Sequence, residues 1–160
     1  MIEINRKLEP GKLRITDAFP TLRDDPMMLE MFGTLETVDE ILATSQLKIV
    51  DTPHYMNVNN HTGTINVGLG HLRNSEAEVL YLDILHELYH VKQQREGADL
   101  YPRDVAYIDR PTEIESYEFT VKAARYIGLS DDDILNYLYV EWISPEDHIK
   151  LAERLNVEVQ

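Results

Sequence analysis

The stretch from Ser75 to Gly97 constrains this chain more than any other. Its apolar residues Val79, Leu80, Leu82, Ile84, Leu85, Leu88 and Val91 recur at helical spacing and predict one amphipathic helix over 75–96. Ser75 reads as its N-cap, Glu78 completes a capping box, and Gly97 supplies the stop. Within the apolar stripe stand His86, Glu87 and His90, the pattern H-E-x-x-H. A helix turns once in about 3.6 residues, so the two imidazoles lie one above the other and can converge on a single ion. Glu87 is rotated by about 100° from His86 and can address a water on that ion without ligating it. Two histidines on a buried helix can also be ordinary core residues with satisfied nitrogens. Burying two His and a Glu in an apolar stripe nevertheless costs free energy unless something pairs with them, and a metal ion is the simplest partner.

Composition narrows what such a site can be made of. The chain has no cysteine, so a disulfide and a thiolate ligand are both excluded, and any metal must be held by His and carboxylates. Its 160 residues suffice for one domain, 1–160, with a real core. A hydrophobic fraction of 43% beside 28% charged residues fits a soluble globular protein rather than a disordered one. A net charge of −14 argues against nucleic acid or an anionic membrane as partner, because phosphates would be repelled. The opening Met-Ile-Glu-Ile-Asn-Arg-Lys lacks the basic-then-apolar pattern of a secretion signal, and no apolar run reaches the ~18 residues of a membrane span. The expected location is the cytoplasm.

Around the central helix the sequence predicts an α+β fold. Residues 2–16 alternate loosely about Pro10-Gly11 and suggest a short strand or hairpin. Asp25-Pro26 opens a helix over 26–32 that stops at Gly33, with Met27, Met28 and Met31 as core filling. Thr34 or Thr37 opens a second helix to Ser45, and Leu47–Asp51 reads as a strand. Residues 55–68 form a β-hairpin turning at Asn60-His61-Thr62-Gly63, with Asn57, Asn59 and Asn66 at strand positions that disfavour Asn. Those asparagines suggest either a solvent-facing side or a polar edge beside a cleft, where an extended peptide could add as a strand. Residues 69–74 read as the connection to the long helix. His54, His61 and His71 are candidate additional site residues, against the plainer reading of loop histidines. Beyond Gly97 an irregular stretch leads to a helix with Thr112 as N-cap and Glu115 closing its capping box. Helices begin again at Ser130 and Ser144, the second placing His148 on the surface, and a strandlike tail follows at Val157.

A catalytic zinc usually has three protein ligands and an open position, so the histidine pair needs a third ligand. The helix after the histidine helix is its natural source. Glu113 lies in its first turn, with the small Ser116 three residues on to allow close helix approach. Glu115 competes, but bulky Glu118 then takes the equivalent position, and Glu115 has a capping role; Glu113 is favoured.

His86-Glu87-Leu88-Tyr89-His90 followed by Glu113-Ile114-Glu115-Ser116 resembles the gluzincin signature, H-E-x-x-H and then E-x-x-(A/S). Within that group, the short length suggests a resemblance to minimal gluzincins (minigluzincins) and, more distantly, to ImmA-like metallopeptidases. The resemblance spans the helix at 75–97 and the helix at 112–127. It implies a zincin-like fold, with a small sheet and β-hairpin packed on a central active-site helix, followed by C-terminal helices. It also implies a Zn²⁺-dependent peptidase acting on a peptide or protein, with His86, His90 and Glu113 as ligands and Glu87 as general base. The Asp that many gluzincins carry four residues after the ligand Glu is Tyr117 here, and the Asn often found just before that Glu is Thr112. Tyr107, Arg110, Tyr117 and His61 are the candidates for stabilising an oxyanion. The C-terminal segment, about 131–155, is large for so small a domain and suggests a latent enzyme whose cleft it covers. A zinc-stabilised regulatory or protein-binding module without turnover is the alternative from another class.

Overall fold

A computed structural model describes residues 2–53 and 55–160. Among them are four strands, β1 (Gly11–Arg14), β2 (Gln46–Val50), β3 (Met56–Val58) and β4 (Ile65–Gly68). Eight α-helices accompany them: α1 (Ile15–Ala18), α2 (Pro26–Phe32), α3 (Leu35–Thr44), α4 (Leu69–Asn74), α5 (Ala77–Arg95), α6 (Pro111–Tyr126), α7 (Asp131–Tyr137) and α8 (Pro145–Arg154). The class is α+β with a small mixed sheet. None of these helices is long and apolar enough to cross a membrane.

The sheet runs in the order β1-β2-β4-β3. β1 is antiparallel to β2, β2 is parallel to β4, and β3 is antiparallel to β4. Alternation decides its inner face: Leu47, Ile49, Val58, Ile65 and Val67 are buried, while Gln46 and Lys48 are exposed. The residue 55–68 hairpin forms as the sequence predicts, and it leaves β3 at the outside edge. Asn57 and Asn66 stand opposite each other, and the Asn66 amide donates to Asn57 Oδ1 at 3.0 Å. Asn59 serves the turn, its Oδ1 accepting from the backbone of His61 and Thr62. The turn closes at Gly63, whose φ of +73° only glycine adopts easily and where a Cβ would meet Gln94 Oε1 at 3.0 Å.

α5 lies across this sheet and packs most extensively against α6. From Leu80 to Val91 all its residues are buried except half-buried Asp83 and Tyr89. A helix buried nearly all round is a core helix, so the expected single stripe is too narrow a description. Asp25, Thr34, Ser130 and Ser144 cap their helices as the sequence suggests, and Met27, Met28 and Met31 fill the core.

Several expectations give way. Ser75 is not the N-cap of the central helix. Residues 69–74 form α4, and Ser75 is its C-cap, with its hydroxyl 2.7 Å from His71 Nδ1. α5 therefore starts at Ala77 and has no side-chain cap. Thr112 and Glu115 form no capping box either. α6 begins two residues earlier, on Pro111 with Arg110 at the N-cap, Thr112 Oγ1 donates to Leu100 O at 3.0 Å, and Glu115 accepts from Gln93 at 3.0 Å. Tertiary partners took both sets of polar groups. Of residues 2–16 only β1 is a strand, paired with β2 rather than with its own neighbours. The tail at Val157 is not a strand; Val157 is buried in the core. His148 is half-buried rather than on the surface, its Nε2 2.6 Å from Leu135 O.

Candidate metal centre

His86 and His90 sit one turn apart on the cleft side of α5, their ring centroids 4.7 Å apart. α6 runs back along α5. Gln93 meets the Thr112 carbonyl, His90 meets Glu113, and His86 meets Thr120. That antiparallel crossing delivers Glu113 to both histidines at once. Its Oε1 lies 3.2 Å from His86 Nε2 and 2.7 Å from His90 Nε2. His86, Glu87, His90 and Glu113 are 6%, 7%, 1% and 4% exposed, so none of them relies on bulk water for compensation.

The outer ring nitrogens have their own partners, and these fix the tautomers. Thr120 Oγ1 donates to Ser116 O at 2.7 Å, so towards His86 Nδ1, 3.3 Å away, it can only accept. Gln93 spends its amide N–H groups on Thr112 O and Glu115, so its Oε1 accepts from His90 Nδ1 at 2.7 Å. Both Nδ1 atoms thus carry hydrogens, and both Nε2 lone pairs face the Glu113 oxygen. Three electron-rich atoms turned on one point repel unless a cation or extra protons lie among them.

The titration directions express the same strain. Burial holds the His86 imidazole below its ordinary value. Burial also opposes a charge on His90, but hydrogen bonding to Glu113 and the nearby carboxylates outweigh it and raise the group to about 9. Burial disfavours the Glu113 carboxylate too, yet the two histidines hold it well below the usual carboxylate range. Glu87 has only the nearby His90 to favour its charge, and no hydrogen bond from either histidine. Burial pushes it up to about 8, and its Oε2 is buried without any hydrogen-bond partner.

This chemistry fits a divalent cation. Zinc held at about 2.0–2.1 Å by nitrogen and oxygen in a tetrahedron separates its ligands by about 3.3 Å. The His86–Glu113 spacing of 3.2 Å already matches, and the 2.7 Å His90–Glu113 pair needs only a small opening. His86, Glu87 and His90 also offer ligand atoms all within 4.8 Å of one another. Glu115 does not reach the histidine pair; it is held by Gln93.

The four residues line a cleft of about 870 Å³. Tyr101, Tyr107, Arg110 and Tyr117 share it, as do Met56 and Asn57 of the β3 edge. The Tyr117 ring packs against that of His86, with centroids 4.4 Å apart. Its hydroxyl is 2.7 Å from that of Tyr107, and the Arg110 guanidinium lies 5.6 Å from the Tyr107 ring centre. His61 is not in this group: it is exposed on the hairpin turn. His54 lies outside the described residues. His71 does line the cleft, with Nε2 2.7 Å from Asp83 Oδ2.

Sequence reasoning missed Gln93, Thr120 and Asp83. The first and last had a signal, since Gln93 stands three residues after His90 and Asp83 four before Glu87, on the same helical face. Thr120 had none, because its role depends on how α6 crosses α5. Compared with family models, with curated proteins and with solved structures, the chain matches none.

Proposed function

We propose that this chain is a zinc-dependent peptidase of the gluzincin type, with a zincin-like arrangement of edge strand, active-site helix and glutamate-bearing helix. The observation that carries the reading is the convergence of His86 Nε2, His90 Nε2 and Glu113 Oε1 beside the unpartnered carboxyl of Glu87. His86, His90 and Glu113 are the residues that would hold the ion, with Thr120 and Gln93 fixing the two rings. Zinc there supplies a Lewis acid that polarises a carbonyl and lowers the pKa of water to about 7. Glu87 takes the proton of the attacking water and hands it to the leaving amine nitrogen. Its burial makes the carboxylate a stronger base than a solvated one. Tyr107 and Arg110, on the wall beside Glu113, offer donors for the developing oxyanion. The open edge of β3, with Met56 and Asn57 facing the cleft, suits an extended peptide.

The last residue of α7 and the segment after it support latency in the same reading. Tyr137, Tyr139, Val140, Glu141 and Trp142 line the cleft. The Tyr137 hydroxyl donates to Asp83 at 2.7 Å and Tyr55 donates to Glu141 at 3.1 Å. The Trp142 ring lies edge-on to Tyr107 at 5.6 Å. This strap crosses from the helices to the strand side of the entrance.

Metal analysis of the purified protein tests the site. Stoichiometric zinc is expected, lost or weakened in His86→Ala, His90→Ala and Glu113→Ala and retained in Glu115→Ala. Glu87→Gln should keep the zinc and abolish peptide cleavage. Wild-type protein that takes up no zinc overturns the reading. A zinc-bound protein whose biological effect survives Glu87→Gln is the regulatory module instead.

A further inference from the structure

At the end of the cleft nearest the N-terminus of α5, Asp83 is held from two sides. His71 Nε2 is 2.7 Å from Oδ2, and the Tyr137 hydroxyl donates to Oδ1 at 2.7 Å. The His71 ring is itself backed by Ser75 at 2.7 Å and by the edge-on ring of Tyr55 at 5.2 Å. Tyr55 in turn donates to Glu141. Two acidic side chains thus face one stretch of cleft wall between tyrosine rings. Among the described residues, no lysine or arginine forms an ion pair with either. The positive side chain in the cleft is Arg110, placed by the antiparallel course of α6 on the opposite side of Glu113. Glu87, whose buried Oε2 has no hydrogen-bond partner, lines the same cleft one turn from Asp83, so this face of α5 holds a polar group still without a partner.

We infer that this end of the cleft is a subsite for a cationic group of the substrate, an ammonium or guanidinium, with Asp83 as its charge partner and the rings of Tyr55 and Tyr137 as its walls. A fixed carboxylate between aromatic faces is the combination that a cation recognises. The hydrogen bonds from His71 and Tyr137 set the direction of the carboxylate in advance, so little ordering remains on binding. Four residues, about 6 Å of helix rise, separate Asp83 from Glu87 along α5. An extended peptide advances about 3.4 Å per residue, so the cation belongs to a residue at the scissile bond or the one beside it. The inference rests on the peptidase reading and names its substrate class: peptides with Lys, Arg or a free N-terminus at that place.

The test is binding to the zinc-loaded full chain, read by the fluorescence of Trp142, the single tryptophan of the sequence, which lines the cleft. The probes are acetyl-Ala-Ala-Lys-Ala-Ala-amide, its Gln counterpart, and the Gln peptide with a free N-terminus. The Lys peptide should bind about tenfold tighter than the Gln peptide, and Asp83→Asn should erase that preference. Preference for the free N-terminus without preference for Lys would assign the cation to the terminus. Equal binding of all three probes by the wild-type protein, or no binding of any, overturns the subsite and needs no variant to fold. A preference that survives Asp83→Asn overturns it as well. Cleavage is scored separately. Charge-selective binding without hydrolysis would leave the subsite and remove the peptidase reading, and hydrolysis without charge preference would do the reverse.

Discussion

Glu87 shows how much of a residue's behaviour is set by its surroundings. The same carboxyl in solution would titrate near 4.5, and burial moves it to about 8. A group whose folded value is raised favours the folded state fully below its unfolded value, and loses that contribution as pH rises through the folded one. Metal-free wild-type protein should therefore lose stability relative to Glu87→Gln as pH rises from about 4.5 to about 8. Glu87 also helps to raise His90 to about 9, so the two proteins are compared below that value. Unfolding midpoints of the two proteins in chelator, measured below and above this window, check it; parallel pH profiles would contradict it. At this scale the sequence was informative where chemistry is local. His86, Glu87 and His90 were legible because four residues on a helix put two side chains on one face. The tautomers were not, since Thr120 and Gln93 act on them through contacts that no local spacing encodes for both rings.

Elements meet where Ser116 lets them. It is fully buried, and its hydroxyl donates to the His86 carbonyl at 2.8 Å, so α5 and α6 touch at the level of the site. Ser116→Ala should cost about 1 kcal/mol through the lost hydrogen bond and keep zinc affinity near wild type. Ser116→Leu should cost about 1–3 kcal/mol by overpacking and weaken zinc binding, because it pushes Glu113 away from the histidines. Denaturant unfolding beside a zinc titration separates the two; equal zinc affinity in both variants would mean that helix spacing does not govern the site. Glu113 itself was legible as a carboxylate in the first turn of the next helix, with a small residue on the same face. The start of α5 departs from the sequence expectation for a reason of the same kind. Ser75 has the chemistry of an N-cap, but His71 and the C-terminus of α4 claim it first, and Arg6 donates to its carbonyl at 2.7 Å.

Across the whole molecule the strap after α7 is the feature with most consequence. It cannot simply be cut away, because Ile134, Leu138, Ile143, Leu151 and Val157 from this end of the chain are part of the core. Truncation after residue 128 should therefore unfold the protein, and the informative change is local. Trp142 is 59% exposed and Tyr55 is 47% exposed, so Trp142→Ala with Tyr55→Phe should leave the unfolding midpoint nearly unchanged. If the strap covers the entrance, the pair should raise peptide cleavage several-fold; an unchanged rate with intact zinc would show that the strap is no cover. By itself the sequence determined the α+β class, the hairpin, the capped helices and the histidine pair. Each of these follows from residues a few places apart, where helical or strand periodicity and capping chemistry act directly. The tertiary structure alone decided that Glu113 reaches both imidazoles, that Asp83 and His71 share the cleft with them, and that Tyr139, Glu141 and Trp142 line its wall. Those contacts join residues 12 to 86 positions apart. They exist because α5 is buried on nearly all sides, so every element packed around it brings its polar groups to one place.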